Sequence, residues 1–117
     1  MTQQEMIKII VEALDGKKAE DIQAIEIKDL TIIADYFIIA NGTSSTQTKA
    51  LADEVEFQLS EKGIKPTRVQ GYAGANWVIL DYSDIVVHVF NKETRDFYSL
   101  ERLWSDGKQL DITEYLK

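Results

Sequence analysis

The chain has 117 residues, 44% hydrophobic and 28% charged, with 20 acidic against 13 basic side chains, a net charge of −7 and no cysteine. That length supports one domain over residues 1–117 with a real core, and the missing cysteines exclude a disulfide framework, thiolate catalysis and a zinc–thiolate site. No apolar run approaches the roughly 20 residues that cross a bilayer, and MTQQEMIKII lacks the basic region and cleavage site of a secretory signal, so no membrane partner and a cytoplasmic location are expected. Gripping a phosphate backbone needs clustered Lys and Arg. Here no basic run exceeds Lys17-Lys18, so direct nucleic-acid binding is not expected, and an acidic domain suits a basic protein surface instead.

Met6, Ile7, Ile10, Val11 and Leu14 recur at helical spacing and predict an amphipathic helix over residues 2–15, closed by Gly16. Residues 22–27 read as a strand with Ile25 and Ile27 on one face; Asp29-Leu30-Thr31 reads as a turn and Ile32-Ile33-Ala34 as a short helical turn. Residues 35–41, DYFIIAN, are a second strand, too apolar for a one-sided edge and therefore central. Gly42-Thr43-Ser44-Ser45 opens the longest helix, residues 45–62, with Ser44 and Gln47 in the spacing of a capping box. Its buried stripe is Ala50, Leu51, Val55 and Leu59, with Phe57 beside them. Gly63 supplies a left-handed C-cap, Ile64 folds back, and Pro66 stops the helix from restarting. A short strand, 67–70, leads into the loop Gly71–Asn76.

Residues 77–90, WVILDYSDIVVHVF, read as a β-hairpin turning at Ser83-Asp84. Tyr82 then pairs with Ile85, Leu80 with Val87 and Val78 with Val89 on a core face. The other face carries Trp77 opposite Phe90, Ile79 opposite His88 and Asp81 opposite Val86. Either both faces are covered, as in the middle of an α/β sheet, or the second is a surface kept for a partner. Residues 91–104 predict one or two helical turns with Phe97, Leu100, Leu103 and Trp104 inward. The tail from residue 106 reads as loosely ordered, with Leu110, Ile112 and Leu116 able to dock. The pattern α-β-β-α-β-β-β-α makes a two-layer α/β domain with a mixed sheet, helices mainly on one side and one open sheet face.

Little here reads as catalysis. His88 is the only histidine and lies mid-strand without the partners of a triad or metal site. Gly42–Ser45 is followed by no P-loop lysine and reads as a strand–helix turn. Asp81 and Asp84 stand three apart across a turn, whereas nucleotidyltransferases hold Mg²⁺ with two aspartates one residue apart on one strand face. No enzyme activity, cofactor or metal is expected. Trp77, Ile79, Val86 and Phe90, edged by Asp81, Asp84 and His88, have the composition of a protein-binding hot spot; burial beneath the C-terminal helix is the competing reading.

Three stretches carry a resemblance. Residues 35–44 (DYFIIANGTS), 77–90, and 95–106 (RDFYSLERLWSD) resemble the ribosomal silencing factor, or Iojap-like, family, in the family's order and over nearly the whole chain. Ser83 stands where the family usually has Gly, and Asn41 where Ser or Thr is common. The resemblance implies a nucleotidyltransferase-like fold without the catalytic residues. It also implies binding to the large ribosomal subunit through its protein numbered fourteen, which blocks docking of the small subunit and lowers translation when nutrients run short; some members act in large-subunit assembly. The family's contact surface carries over onto the Gly71–Asp84 region with Trp77 as anchor. The candidate partner-binding residues are therefore Gln70, Gly71, Tyr72, Asn76, Trp77, Ile79, Asp81, Ser83, Asp84, Val86, His88 and Phe90. An uncovered apolar patch of this kind also predicts a weak symmetric homodimer of the free protein.

Overall fold

The computed structural model describes residues 1–116. Thr2 caps α1 (Gln3–Gly16): its Oγ1 accepts from the Glu5 amide at 3.1 Å, and the Glu5 carboxylate accepts from the Thr2 amide at 3.3 Å. These reciprocal bonds satisfy amides that a helix start leaves free. The helix runs through Gly16, and the left-handed residue after it is Lys18, at φ +63°. Strands β1 (Glu20–Glu26) and β2 (Tyr36–Gly42) follow as an antiparallel pair. Ser44 then caps α2 (Ser45–Ser60), which ends with Gly63 at φ +78° and the Ile64 amide returning to Leu59 O at 3.0 Å.

Strands β3 (Arg68–Gln70), β4 (Trp77–Asp81) and β5 (Ile85–Asn91) complete the main sheet. After them come two short helices, α3 (Lys92–Tyr98) and α4 (Leu100–Leu103), and a short strand, β6 (Lys108–Gln109). The sheet order is β3-β4-β5-β2-β1-β6. Among the described residues only β2 and β5 run parallel; joining them takes a crossover, which α2 supplies. The hairpin register is as predicted: Trp77 opposite Phe90, Ile79 opposite His88, Asp81 opposite Val86.

All of β2 is buried, as is β5 up to Phe90. On one face Ile38, Ala40, Val78, Leu80, Val87 and Val89 pack beneath α1 and α2. On the other, Ile25, Ile27, Phe37, Ile39, Val86 and Phe90 form a second core closed by Leu100, with Trp77, Ile79 and Trp104 partly buried against it. The expectation of an open sheet face is thus corrected. The central strands are apolar on both sides, and each such side chain gains about 1.5–3 kcal/mol by leaving water, so the chain after β5 folds back across them.

What fastens that return is Arg95, 3% exposed. Its guanidinium donates to Glu101 Oε1 at 3.1 Å, to Asp21 O at 2.8 Å and to Asn41 Oδ1 at 2.9 Å. The tail docks rather than trailing. Gly107 lies so close to β1 that a Cβ there would meet Ile25 Cγ2 at 2.6 Å and Glu26 O at 2.8 Å. That close approach lets β6 pair with β1, and Ile112 is buried beyond it while Leu116 is 40% exposed. Three other apolar residues expected inside are outside: Phe57, Phe97 and Leu103 are 55%, 81% and 74% exposed. Among the described residues no helix is long and apolar enough to cross a membrane.

Candidate functional site

With the sheet centre covered, the exposed part of the second face is its β3–β4 edge. Trp77, Ile79 and Asp81 alternate along β4 and so point the same way; each is half-buried. Gln70 lies opposite Ile79 and Arg68 opposite Asp81, both exposed, which adds their side chains to the strip. Beyond β5 the strip is bounded by α3, where Tyr98 sits 5.0 Å from Trp77 between ring centroids and Phe97 stands 5.1 Å from Tyr98.

Trp77 is held on three sides. It stacks on Phe90 at 4.8 Å with 28° between planes, Tyr98 flanks it, and its Nε1 donates to His88 Nδ1 at 3.0 Å. Val86, His88 and Phe90 are buried, at 6%, 5% and 0% exposure, so these three candidates lie beneath the surface and not on it. The return of α3 and α4 explains the difference. Burial pushes the His88 imidazole down to about 4 from its ordinary 6.5, because a charge there would be stripped of water.

The loop before β4 is built rigidly. Gly71, at φ +78°, lies where a Cβ would meet Trp77 O at 2.0 Å, so only glycine fits. Ala75 N donates to Gly71 O at 3.0 Å, and Tyr72 reaches α2 through a 3.1 Å bond from its hydroxyl to Asp53 Oδ2. Asn76 is exposed, and its carbonyl accepts from Asn91 N at 2.9 Å.

At the far end, Asp81 Oδ1 accepts from Ser83 N at 2.8 Å, and Ser83 takes φ +73°. Asp84 is exposed, while its carbonyl accepts from the Asp35 and Tyr36 amides at 2.8 and 3.0 Å. Those two bonds bring the β1–β2 loop alongside the turn. At the loop tip Ile32 is fully exposed and Ile33 67% exposed, where a short helical turn was predicted. Of the twelve candidates, Gln70, Gly71, Asn76, Trp77, Ile79, Asp81, Ser83 and Asp84 are reachable from solvent along one edge, and Tyr72 is exposed but turned toward α2. Arg68, Tyr98 and Phe97 join them unpredicted. Register alone could have found Arg68, since it faces Asp81 across the hairpin edge.

The chain matches over residues 1–117 the family described as "Ribosomal silencing factor during starvation". It belongs to the ribosomal silencing factor family. It is 42% identical over 112 residues to the ribosomal silencing factor of Bacillus subtilis, covering 96% of this chain and 95% of that one. A crystal structure of a protein from Chromobacterium violaceum superposes with a TM-score of 0.87 at 38% identity, covering 90% of this chain and 88% of that one. A mouse protein named "Mitochondrial assembly of ribosomal large subunit protein 1" is 28% identical over 102 residues, covering 85% of this chain and 45% of that one.

In this silencing-factor chain the turn after β2 is tied down from within, with Ser44 Oγ accepting from Gln47 N at 3.1 Å. Gln47 Oε1 accepts from Thr43 N at 2.7 Å and Thr43 Oγ1 at 2.8 Å, while its Nε2 donates to Lys18 O at 3.2 Å. The carboxamide therefore takes the Thr43 amide that an anion at this turn would compete for. Among the described residues no group of three or more His, Asp or Glu side chains is arranged to hold a metal ion.

Proposed function

We propose that the protein docks on the large ribosomal subunit, through the subunit's protein numbered fourteen, and blocks joining of the small subunit, so repressing translation in the cytoplasm when nutrients are limiting. The family match across the whole chain carries this reading. The exposed β4 edge supports it: an aromatic anchor at Trp77, apolar Ile79, and carboxylates at Asp81 and Asp84 compose a hot spot with a polar rim. The net charge of −7 favours a basic partner. A domain of 13.3 kDa needs only to occupy the joining face longer than small subunits take to arrive. No bond has to be made or broken. The free protein would pair weakly with its own copy through the same edge, with Tyr98 and Phe97 replacing the buried Val86 and Phe90 in the apolar area.

A second reading, assistance in large-subunit assembly, is favoured by the name of the mouse relative. Sedimentation of the tagged protein with mature large subunits and with their precursors separates the two. Silencing predicts co-sedimentation with mature subunits and loss of subunit joining in proportion to occupancy. Binding confined to precursors refutes silencing in favour of assembly, and binding to neither refutes both.

A further inference from the structure

Trp77 stands at the rim of the second core, and the group that fixes its ring is inside. An indole N–H can only donate, so the 3.0 Å bond to His88 Nδ1 requires that nitrogen to be an unprotonated acceptor. The ring proton of the neutral imidazole is then on Nε2. That nitrogen is buried and has no hydrogen-bond partner among the described residues. Around the imidazole lie Phe37, at 4.5 Å between centroids, and Phe90, at 6.4 Å.

For stability alone this is a poor use of the position. A buried polar atom without a partner is destabilising, and an apolar side chain of similar size escapes that cost. Buried polar groups that survive such a cost are found where function needs them. Here the histidine does one visible thing: it takes the indole N–H. Stacking on Phe90 and the flank of Tyr98 hold the plane of the Trp77 ring, but neither sets its direction within that plane. The hydrogen bond does.

We propose that His88 is a positioning residue for the docking edge, locking Trp77 in one orientation so that the indole meets the partner as a preorganised, wholly apolar anchor. This rests on the reading of the β4 edge as the docking surface. A loose tryptophan would have to be ordered on binding, and that ordering weakens association. Because the N–H is already satisfied inside the protein, the partner's surface opposite the indole needs no acceptor. An apolar pocket edged by basic side chains fits it.

Trp77 and Trp104 are the only tryptophans, so a Trp104→Phe background isolates the Trp77 signal. In it, His88→Leu removes the acceptor, and His88→Asn offers Oδ1 near the place of Nδ1. Each is measured for urea stability, Trp77 fluorescence anisotropy decay and binding to purified large subunits. His88→Leu should be as stable as the parent or more so, show faster local motion of Trp77, and bind roughly two- to twelvefold more weakly, the scale of one hydrogen bond. His88→Asn should recover most of both losses. Parental binding by His88→Leu, while Trp77→Ala loses binding, overturns the positioning role and leaves the docking surface standing. Parental binding by a folded Trp77→Ala overturns the docking surface and this inference with it. If His88→Leu and His88→Asn lose stability and binding in step, the histidine is only structural and the proposal falls.

Discussion

Replacing Arg95 tests how the second face is closed. The guanidinium is 3% exposed and satisfies Glu101 Oε1, Asn41 Oδ1 and the Asp21 carbonyl at 2.8–3.1 Å. Its ion pair with Asp21, at 3.3 Å, adds little because that carboxylate is 65% exposed. The expensive consequence of Arg95→Met is stranding. Glu101 is 28% exposed, already has a buried Oε2 without a partner, and would lose the countercharge beside it. Asn41 Oδ1 would be buried with nothing to accept. Removing one member of such a set costs about 3–5 kcal/mol, a large share of the roughly 5–15 kcal/mol that stabilises a domain. Arg95→Lys should recover little, since an ammonium cannot reach three acceptors in the guanidinium fork. Urea unfolding gives the magnitude, and binding of a hydrophobic dye shows whether α3 and α4 lift from Phe37 and Phe90. A loss under about 1 kcal/mol by Arg95→Met, with no dye binding, would refute the clamp.

Acid should destabilise the protein through His88: the unfolded chain takes up its proton near 6.5 and the folded chain only near 4. Stability is then whole above about 6.5 and falls as pH drops toward 4, by about 3 kcal/mol at roughly 1.4 per pH unit; urea unfolding of His88→Leu should lack that part of the slope. Ser83→Gly should stabilise the hairpin by up to about 1 kcal/mol, because a non-glycine residue at φ +73° is strained; a lower urea midpoint would contradict this. Asp84→Lys should slow association with large subunits and leave folding intact, since its side chain is exposed, and raised salt should narrow the gap. An on-rate equal to the parent's at low salt would remove steering by Asp84. Asp81→Lys is the less clean variant, because Asp81 Oδ1 holds the Ser83 amide and its loss should also lower stability.

The hairpin is legible residue by residue in the sequence, and so is α2 with its caps, because local rules govern both. Strand alternation pairs Trp77 with Phe90 once the turn is placed at Ser83-Asp84, and Gly63 can end a helix by itself. Likeness in three long motifs pointed to the family, and the match over residues 1–117 established it. Which face is covered is a different kind of fact. Alternation puts His88 on the side of Trp77 but says nothing about what lies above it. From Phe97 to Trp104 five of eight residues are apolar or aromatic, so periodicity could not choose among Phe97, Tyr98, Leu100, Leu103 and Trp104. The choice is made at Ser99, whose φ of +48° breaks the segment into two helices and turns Leu100 inward and Phe97 outward. Arg95 reaches carbonyls more than 70 residues back in the chain, a contact without a local signature. Local sequence pattern determined the first five strands and the register of the β4–β5 hairpin, while closing one core beneath Leu100 and Arg95 decided that Trp77 stays at the rim and His88 goes under it, since only contacts distant in sequence decide what is taken out of water.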